Sequence, residues 1–591
     1  MPKLDLCSKS HFQPVEYLLP LKSLAVASGV KVRVMGSSSL VRVVQFLPRL
    51  LLLLCVLAGF SSKSLQGQIQ LDRFFPPAVG VGQSLEIKVE GKFPEWPIEL
   101  VTDCGHVSVQ AAEKSGQVVV EVNELATPGV VWVRGLDKTS ASGLVPLLIE
   151  PLVPVAEVEP NETLENATQV ELPGIVTGRL SKSGEVDTFR VGVKEGETLV
   201  VSVIANQLLQ SPMDAVLQIV DANGHVLAQA DDQRGLDPQL VYEVKRDQTL
   251  LIRLFAFPET PNSTIGFAGA ATFVYELRVT TGAFVDHVLP LNQQLMAVVG
   301  EAGAGVVAQG WNLPDGSAAK NGTANQFGGS SIFLTDALGW QYQGSHVARG
   351  DEFFESAELA VMEKTPCSYS GRIAAAGEID RVQLAVKKGK KYRVAVHARR
   401  SGMNLDSVLR VVDLEDGKEL GRNDDVTRGK YDARVDFTAK EDERVEVQIS
   451  DLVDGFGMRH AYTVVVAVVE PSVEVTVAED HFAVKAGEAL EIPVTIGRRD
   501  GYASKLLISA VGLPEGITTE AVVSETKGDS SKAVKLKITA ADGISHQGPI
   551  QIQVIEVEDG KGDAKEAKPF HAKHELAKVL RIDEFWLSVA P

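Results

Sequence analysis

The feature that most restricts how this chain can fold is a sequence pattern that occurs twice. "GRLSKSGEVDTFRVGVKEGETLVVSV", starting at Gly178, matches "GRIAAAGEIDRVQLAVKKGKKYRVAV", starting at Gly371, at an offset of 193 residues. Further along, "MDAVLQIVDANGHVLAQADD" matches "LDSVLRVVDLEDGKELGRNDD", which aligns Asp214 with Asp406. So many matches in the same order indicate two copies of one domain, of roughly 110 to 130 residues each.

Alternation of apolar and polar residues dominates both copies and the segments around them. Typical stretches are "SLEIKVEG", "GQVVVEVNE", "TLVVSVIA", "KYRVAVHA" and "IQIQVIEVE". A period of two is that of a half-buried β-strand, and Gly, Pro, Asn and Asp turns separate the runs about every eight to twelve residues. Convincing amphipathic helical patterns are nearly absent. The sequence therefore predicts an all-β chain of tandem antiparallel β-sandwiches.

The first 67 residues differ from the rest. Arg49 precedes an eleven-residue apolar run, residues 50–60, and the small and polar residues "SSKSLQGQ" follow it. A charged flank, a short apolar core and a small-residue exit are typical of a secretory signal peptide, and the run is short for a membrane-spanning helix. We expect residues 1–67 to be an extension plus signal peptide, with Met35 as the alternative start and cleavage within residues 59–68. The alternative is an uncleaved membrane anchor.

Export would place the protein in the periplasm, on the cell surface or in the medium, without a stable membrane span after cleavage. The whole chain carries a net charge of −19. Because nucleic-acid binding calls for a basic surface, this charge argues against a nucleic-acid partner. Cys104 and Cys367 are the cysteines beyond the signal region, and their separation predicts two isolated buried thiols rather than a disulfide.

The sequence contains none of the catalytic motifs that we sought. G-x-S-x-G, H-E-x-x-H and the signatures of subtilisin-like enzymes are absent. His346 and His460 have no nucleophile or metal-ligand motif beside them, and we interpret both as loop or rim residues. The acid pairs in "QADD" and "RNDD" could suggest a glycosidase, but neighbouring side chains on a strand point to opposite faces, which favours a role in turns. We predict that the chain is not an enzyme.

The strand runs and turn-rich joints divide the chain into segments. Beyond the signal region at residues 1–67, the predicted domains are 71–150, 155–283, 287–350, 365–468 and 474–591. The two copies of the repeat lie in the second and fourth of these domains.

The repeated residues resemble a known family. "EVEPNETLENATQVELPGIVTGRLSKSGEVDTFRV", the later "QADD" and the closing "FVYELRV" resemble the bacterial pre-peptidase C-terminal (PPC) domain. The second copy keeps "GEID" and "RNDD" but has "EKTPCSYSG" where E-P-N would stand. Residues 71–150 resemble the IPT/TIG immunoglobulin-like module, as residues 287–350 do in a degenerate form, and residues 474–591 resemble an immunoglobulin-type module. The resemblance implies jelly-roll and immunoglobulin-like sandwiches that bind or position other molecules.

The resemblance also implies a calcium site in the first copy. The positions that match the family's ligands are Glu157, Glu159, Asn161, Glu162 and Asp187. One further family aspartate falls on Gly184, where neighbouring Glu185 could substitute, and the second copy offers only Glu363 near Asp380.

The residues themselves support the same site. In an extended segment, residues i, i+2 and i+4 share one face, so Glu157, Glu159 and Asn161 would project together. Oxygen-bearing side chains are the ligands that Ca²⁺ prefers. The alternative is a solvated acidic linker, which the adjacent Pro151 and Pro154 would suit equally well.

From the sequence we expect an exported, non-catalytic binding or adhesion protein of the bacterial cell envelope that depends on calcium. Its ligand would be an extracellular polysaccharide or protein that the sequence does not identify. Two alternatives remain: a peptidase-associated accessory protein that lacks its catalytic domain, of the kind labelled a serine proteinase, and a structural spacer of an envelope assembly.

Overall fold

A computed structural model describes residues 68–591. Short gaps within this range lie at residues 262–265, 290, 292–306, 315–316, 318, 323–324, 328, 344–350, 356–358, 428, 558–568 and 578. The predicted signal peptide and His346 therefore lie outside the described residues. Within the described part, no helix has the length and apolar character needed to span a bilayer.

The described chain is built almost wholly from β-strands. Its only helices are two 3-10 turns, Arg399–Ser401 and Asp529–Ser531. The strands pair mostly in an antiparallel manner and lie in sheets that face one another across apolar cores. The prediction of an all-β, sandwich-like protein is confirmed.

The first module, residues 68–150, contains the strands β1 (Gln70–Phe75), β2 (Ala78–Gly80), β3 (Ser84–Lys92), β4 (Glu99–Thr102), β5 (Val107–Ala111), β6 (Gln117–Val122), β7 (Gly129–Leu136) and β8 (Val145–Glu150). They form two four-stranded sheets, in the orders β1-β3-β6-β5 and β2-β8-β7-β4. In β6, Val118, Val120 and Val122 are buried while Glu121 is exposed. Because alternate side chains of a strand face opposite ways, the two sheets enclose one core between them.

The first sandwich, residues 155–280, contains the strands β9 (Val155–Ala156), β10 (Thr168–Gln169), β11 (Gly174–Arg179), β12 (Asp187–Val193), β13 (Thr198–Ile204), β14 (Met213–Val220), β15 (Val226–Ala230), β16 (Gln239–Glu243), β17 (Gln248–Pro258) and β18 (Val274–Thr280). They form two five-stranded sheets, in the orders β10-β12-β17-β14-β15 and β16-β13-β18-β11-β9. Phe189, Leu217 and Leu277 are among the fully buried residues between the sheets.

The middle segment, residues 284–343, is smaller. It contains β19 (Phe284–Leu289), β20 (Val307–Trp311), β21 (Lys320–Asn321), β22 (Ser330–Phe333) and β23 (Trp340–Gln343). β19 and β20 pair with each other, and β21, β22 and β23 form a three-stranded sheet.

The second sandwich, residues 351–468, contains β24 (Asp351–Phe354), β25 (Val361–Met362), β26 (Cys367–Arg372), β27 (Asp380–Val386), β28 (Lys391–His397), β29 (Ser407–Asp413), β30 (Glu419–Asn423), β31 (Arg434–Thr438), β32 (Glu443–Asp451) and β33 (Ala461–Val468). Its sheet orders are β25-β27-β32-β29-β30 and β24-β26-β33-β28-β31. Strand for strand, these are the orders of the first sandwich. The repeat in the sequence is thus also a repeat in the structure.

The C-terminal module, residues 472–591, contains β34 (Ser472–Val477), β35 (His481–Lys485), β36 (Ala489–Arg499), β37 (Lys505–Val511), β38 (Ile517–Glu520), β39 (Val522–Ser524), β40 (Ala533–Ala540), β41 (His546–Val557), β42 (Phe570–His571), β43 (His574–Leu576), β44 (Leu580–Ile582) and β45 (Phe585–Ala590). Its two main sheets have the orders β34-β36-β40-β38 and β35-β45-β41-β37-β39, and β43 and β44 form a separate hairpin.

Contacts between these units are extensive. The sequence predicted a string of sandwiches and gave no indication of these contacts. One apolar cluster combines Trp132 of the first module, Leu208 of the first sandwich, Trp340 of the middle segment and Leu580 of the C-terminal module. Arg134 of the first module also bonds to the C-terminal Asp480 at 2.8 Å, with both side chains buried. The C-terminal module therefore packs back against the first one.

Candidate cation site in the first sandwich

The segment that carries the predicted calcium ligands lies along the edge of a sheet. β9 pairs in parallel with β11, and the Glu157 N–H continues this pairing to the Thr177 carbonyl at 3.0 Å. Val158 is 65% exposed, whereas Asn161 is fully buried. The alternation expected for an extended segment is not kept, because Glu159 is exposed like Val158 and the chain bends at residues 159–160. The segment nevertheless brings Glu157 and Glu159 close to Asp187, the first residue of β12.

Tyr275 on β18 joins two of the predicted ligands. Its Oη lies 2.6 Å from Glu157 Oε2 and 2.5 Å from Asp187 Oδ2. A phenol has one proton and can donate to only one acceptor at a time. Burial, together with the charge of Glu157, raises the pKa of Asp187 to about 10, and burial also raises the pKa of Glu157. The two carboxyl groups therefore retain a proton between them at neutral pH.

A glycine makes room for this arrangement. A Cβ at Gly178 would collide with the Tyr275 hydroxyl and with Glu157 Oε2. In the second sandwich, a Cβ at Gly371 would meet the Tyr462 hydroxyl at 2.7 Å. The glycine that begins each copy of the repeated pattern is thus required by the close approach of the tyrosine.

Asn161 has an unusual environment. Its side chain is fully buried, yet neither Oδ1 nor Nδ2 has a hydrogen-bond partner. Its backbone N–H donates to Glu159 Oε2 at 3.1 Å, which places the residue beside the acidic group. Asp187 Oδ1 is likewise buried and without a partner. Unpaired buried polar atoms are unfavourable by about 1–3 kcal/mol each, so both oxygens are candidates for contact with a ligand.

The carboxylates form two overlapping groups. One oxygen from each of Glu157, Glu159 and Asp187 lies within 4.8 Å of the others, and the same holds for Glu159, Glu162 and Glu185. Glu159 belongs to both groups.

Two of these acids have other partners as well. Glu162 pairs with Lys182 at 2.8 Å, and this hydrogen bond lowers the Glu162 pKa. Buried Glu185 accepts the backbone N–H of Lys182 at 2.8 Å. A Cβ at Gly184 would meet no atom within 4 Å. The residue of this turn that joins the acidic group is the neighbouring Glu185.

The donor set fits a hard divalent cation. Ca²⁺ takes six to eight oxygen ligands, and carboxylates and amide carbonyls are its usual ones. Glu157, Glu159, Glu185 and Asp187 would supply carboxylate oxygens, and Asn161 would supply an amide oxygen. Histidine and cysteine, the ligands that favour Zn²⁺, do not occur in either group.

The second sandwich has a related but simpler cluster. Glu355, Glu378 and Asp380 each place an oxygen within 4.8 Å of the others, and Tyr462 bonds to Asp380 at 2.6 Å. Glu355 accepts the N–H of Arg372, as Glu157 accepts that of Arg179.

The sequence comparison missed this equivalence. It placed Glu363 near Asp380, but Glu363 instead pairs with Arg444 at 2.6 Å. Glu355 follows Glu157 by 198 residues rather than 193, because the segment from Glu355 to Gly371 is shorter than the segment from Glu157 to Gly178 in the first copy. The structure identifies Glu355 as the equivalent residue, because β24 pairs in parallel with β26 just as β9 pairs with β11.

The remaining candidates have local partners. Asp231 Oδ1 accepts the N–H of Asp232, and Asp424 Oδ1 accepts that of Asp425, as the turn interpretation predicts. His460 lies 3.9 Å from Asp451.

Neither Cys104 nor Cys367 takes part in a disulfide. Cys367 is buried as predicted, whereas Cys104 is only partly buried, so the prediction of burial is wrong for Cys104.

Comparison with known proteins gives little further information. The sequence matches no protein-family model and no curated protein. Solved structures with some likeness include the pre-peptidase C-terminal domain of a Bacillus anthracis collagenase (11% identity, 19% of this chain, 99% of that chain, TM-score 0.15). Another contains the M60 catalytic and CBM51 domains of Clostridium perfringens ZmpB (9% identity, 68% of this chain, 46% of that chain, TM-score 0.14). A third contains the fibronectin(III)-like modules of Clostridium thermocellum CbhA (11% identity, 40% of this chain, 90% of that chain, TM-score 0.11). At such TM-scores, none of them determines the function of this chain.

Proposed function

We propose that this chain is an exported, non-catalytic binding protein of the bacterial cell envelope whose first sandwich takes up Ca²⁺. The observation that carries the calcium proposal is Asn161, a fully buried amide with two unpaired polar atoms beside three clustered carboxylates. An acidic linker in solvent would not bury an amide in this way.

The charges of the site favour the same proposal. Glu157, Glu159 and Asp187 repel one another when ionised, and burial increases this repulsion because the local dielectric constant is low. Lys182 is a cation at the site, but its closest contact is with Glu162, at 2.8 Å. A divalent cation would offset the remaining negative charge and displace the retained proton.

Two observations support a non-catalytic role. The sequence has no nucleophile or zinc-protease motif. In the described part of the chain, Asp231 accepts the backbone N–H of Asp232 and Asp424 accepts that of Asp425, which supports a role for these acids in turns.

The ligand that we propose is an extracellular polysaccharide or protein. Calcium would contribute by fixing residues 155–162 against the sheet edge. The resemblance to PPC domains and the predicted signal peptide are the grounds for placing this activity outside the cytoplasm.

The test is a glycan and matrix-protein array probed with the full chain, in calcium and in chelator. We expect one class of ligand to be retained in calcium and to weaken in chelator. The variant Glu159→Ala/Asp187→Ala should behave in calcium as the unmodified chain does in chelator. Glu171→Ala/Glu195→Ala, which removes two exposed acids of the same sandwich, is the matched control and should retain binding.

Failure to bind any ligand would contradict the proposal and favour a structural spacer. Hydrolysis of a peptide or glycan that disappears on mutation of a single residue would also contradict it. Binding that requires a separate peptidase would favour the accessory-protein alternative.

A further inference from the structure

Three units of the chain meet around Arg459 of the second sandwich. Its Nε and Nη2 donate to the carbonyl of Gln233 in the first sandwich, at 3.1 and 2.7 Å. Its Nη1 donates to Asp286 Oδ1 of the middle segment at 2.6 Å. Arg234 directly follows Gln233 and therefore lies at this junction. None of these residues belongs to the acidic groups of the cation site.

Arg234 is a cation of this junction without a bonded partner. Its backbone N–H donates to the Asp237 carbonyl, but within the described part of the chain its guanidinium makes neither a hydrogen bond nor an ion pair. The residue is only partly buried, yet burial lowers its pKa to about 10. A guanidinium in open solvent would not be shifted in this way. The Arg234 side chain therefore lies in a recess between the units that solvent still reaches.

The acids whose charges act on Arg234 are Asp286 and Asp237, and both already have partners. Buried Asp286 accepts the Arg459 guanidinium and lies 2.6 Å from His287 Nδ1. Buried Asp237 accepts two backbone N–H groups, at 2.7 and 3.1 Å. These bonds satisfy the two carboxylates but leave the charge of Arg234 without any contact.

Two further arginines and two unpaired polar groups belong to the same junction. The charges of Arg459 and Arg278 both act against the positive charge of Arg234. Gln239 is 4% exposed and places Oε1 3.5 Å from Arg459 Nη1, while its buried Nε2 has no partner. Ser202 lies between Gln239 and Arg278 on neighbouring strands, and its buried Oγ is also unpaired. The junction thus holds several hydrogen-bond donors that lack an acceptor.

These groups select the chemistry of a ligand. A guanidinium is a planar fork of N–H donors that matches two oxygens of a carboxylate, phosphate or sulfate. The amide of Gln239 would donate to a further oxygen of the same group. A cationic ligand, in contrast, would meet the charges of Arg234, Arg278 and Arg459, whereas the acids that act on Arg234 already have partners.

We propose that the recess at Arg234 binds a small oxyanion of the phosphate, sulfate or carboxylate type. The anion would accept hydrogen bonds from Arg234 and Gln239 of the first sandwich, next to Arg459 of the second sandwich. Bound there, it would offset the unpaired positive charge and strengthen the contact between the two sandwiches. This inference goes beyond the proposed function, and neither depends on the other.

Calorimetric titrations and thermal melts of the full chain test the proposal. The probes are inorganic phosphate, sulfate and acetate at constant ionic strength, without calcium because it precipitates phosphate, and chloride is the reference anion. Arg234→Gln removes the charge but breaks no side-chain bond, so the fold should tolerate it. Arg253→Gln is the matched control, since Arg253 is a partly buried arginine of the same sandwich that contacts Gln218.

We expect saturable binding of at least one of the three oxyanions, with an affinity about tenfold or more weaker in Arg234→Gln and unchanged in Arg253→Gln. The oxyanion that binds most tightly then shows whether the site prefers a tetrahedral or a planar group. Phosphate and sulfate also stabilise folded proteins in general, through exclusion from their surfaces. The rise in melting temperature should therefore be larger for the unmodified chain and for Arg253→Gln than for Arg234→Gln.

A melt in chloride alone gives a second readout. Arg234→Gln should melt at the same temperature as the unmodified chain or higher, because it removes a charge that has no partner.

Four results would overturn the inference. They are the absence of saturable heat with all three oxyanions, equal affinity of the unmodified chain and Arg234→Gln, chloride binding as tight as that of the oxyanions, and a lower melting temperature of Arg234→Gln in chloride. Each of them leaves the proposed calcium-dependent function intact, since Arg234 lies outside the acidic groups of the cation site.

Discussion

Replacing Arg278 with leucine would remove a buried cation that connects three parts of the molecule. Its Nη2 donates to Glu150 of the first module at 2.6 Å, and its Nε donates to Glu276 at 2.8 Å. The guanidinium carbon lies 4.5 Å from the ring centre of Trp340 in the middle segment, whose indole N–H also donates to Glu150. These four side chains are at most 1% exposed.

The magnitude follows from this geometry. Removing one partner of a buried ion pair destabilises a protein by about 3–5 kcal/mol, because the other charge stays buried without compensation. Loss of a desolvated cation–π contact adds about 0.5–2 kcal/mol. Burial raises the pKa of Glu150 to about 8, so the carboxyl pair can keep a proton below that pH and the destabilisation should be larger at pH 9 than at pH 6. We expect Arg278→Leu to lower the free energy of unfolding by about 4 kcal/mol near neutral pH.

Urea unfolding followed by tryptophan fluorescence measures this effect, with Trp132 and Trp340 as reporters at the junction. Arg253→Leu is the control, because Arg253 is only partly buried and contacts an uncharged partner, Gln218, at 3.2 Å. The variant Glu150→Gln/Glu276→Gln/Arg278→Leu should recover much of the loss, since it buries no charge. A decrease below about 1 kcal/mol for Arg278→Leu, or a triple variant as unstable as the single one, would refute the reasoning.

Three further predictions concern pH, module contacts and export. Burial raises the pKa of Asp103 to about 7, so stability should decrease as pH rises from 5 to 8.5, and Asp103→Asn should remove about 1–2 kcal/mol of that decrease in thermal melts. Arg459→Ala should loosen the second sandwich, because Arg459 pairs with buried Asp286 at 2.6 Å; an unchanged radius of gyration in X-ray scattering would contradict this. N-terminal sequencing of the exported protein should start within residues 59–68, and an intact chain recovered from the cytosol would disprove export.

The strands could be predicted from the sequence because their signal is local. In "KYRVAVHA", Tyr392, Val394 and Val396 are buried in β28, as a period of two requires. The offset of 193 in the repeat also aligns Asp187 with Asp380, and these residues begin the equivalent strands β12 and β27.

Contacts between modules could not be predicted in this way. Arg134 and Asp480 are 346 residues apart, and a single charged residue on a strand gives no indication of its partner.

The site was predicted in part. The sequence predicted that Glu157, Glu159 and Asn161 would project together from an extended segment, whereas the chain bends at residues 159–160. Glu157 and Glu159 still share one acidic group, and the Asn161 N–H donates to Glu159. Tyr275 was missed, since an aromatic residue on a core strand is usually explained by packing alone, and its role depends on residues 88 and 118 positions away.

Calorimetric titration of Ca²⁺ into the full chain tests the central claim most directly. The account predicts a saturable heat with a dissociation constant of roughly 10⁻⁴–10⁻³ M, in the range of extracellular modules, and a calcium-dependent rise in melting temperature. Both effects should disappear in Glu159→Ala/Asp187→Ala and persist in Glu171→Ala/Glu195→Ala. The absence of any heat, with no change in melting temperature, would show that the acidic segment is a linker and would contradict the account.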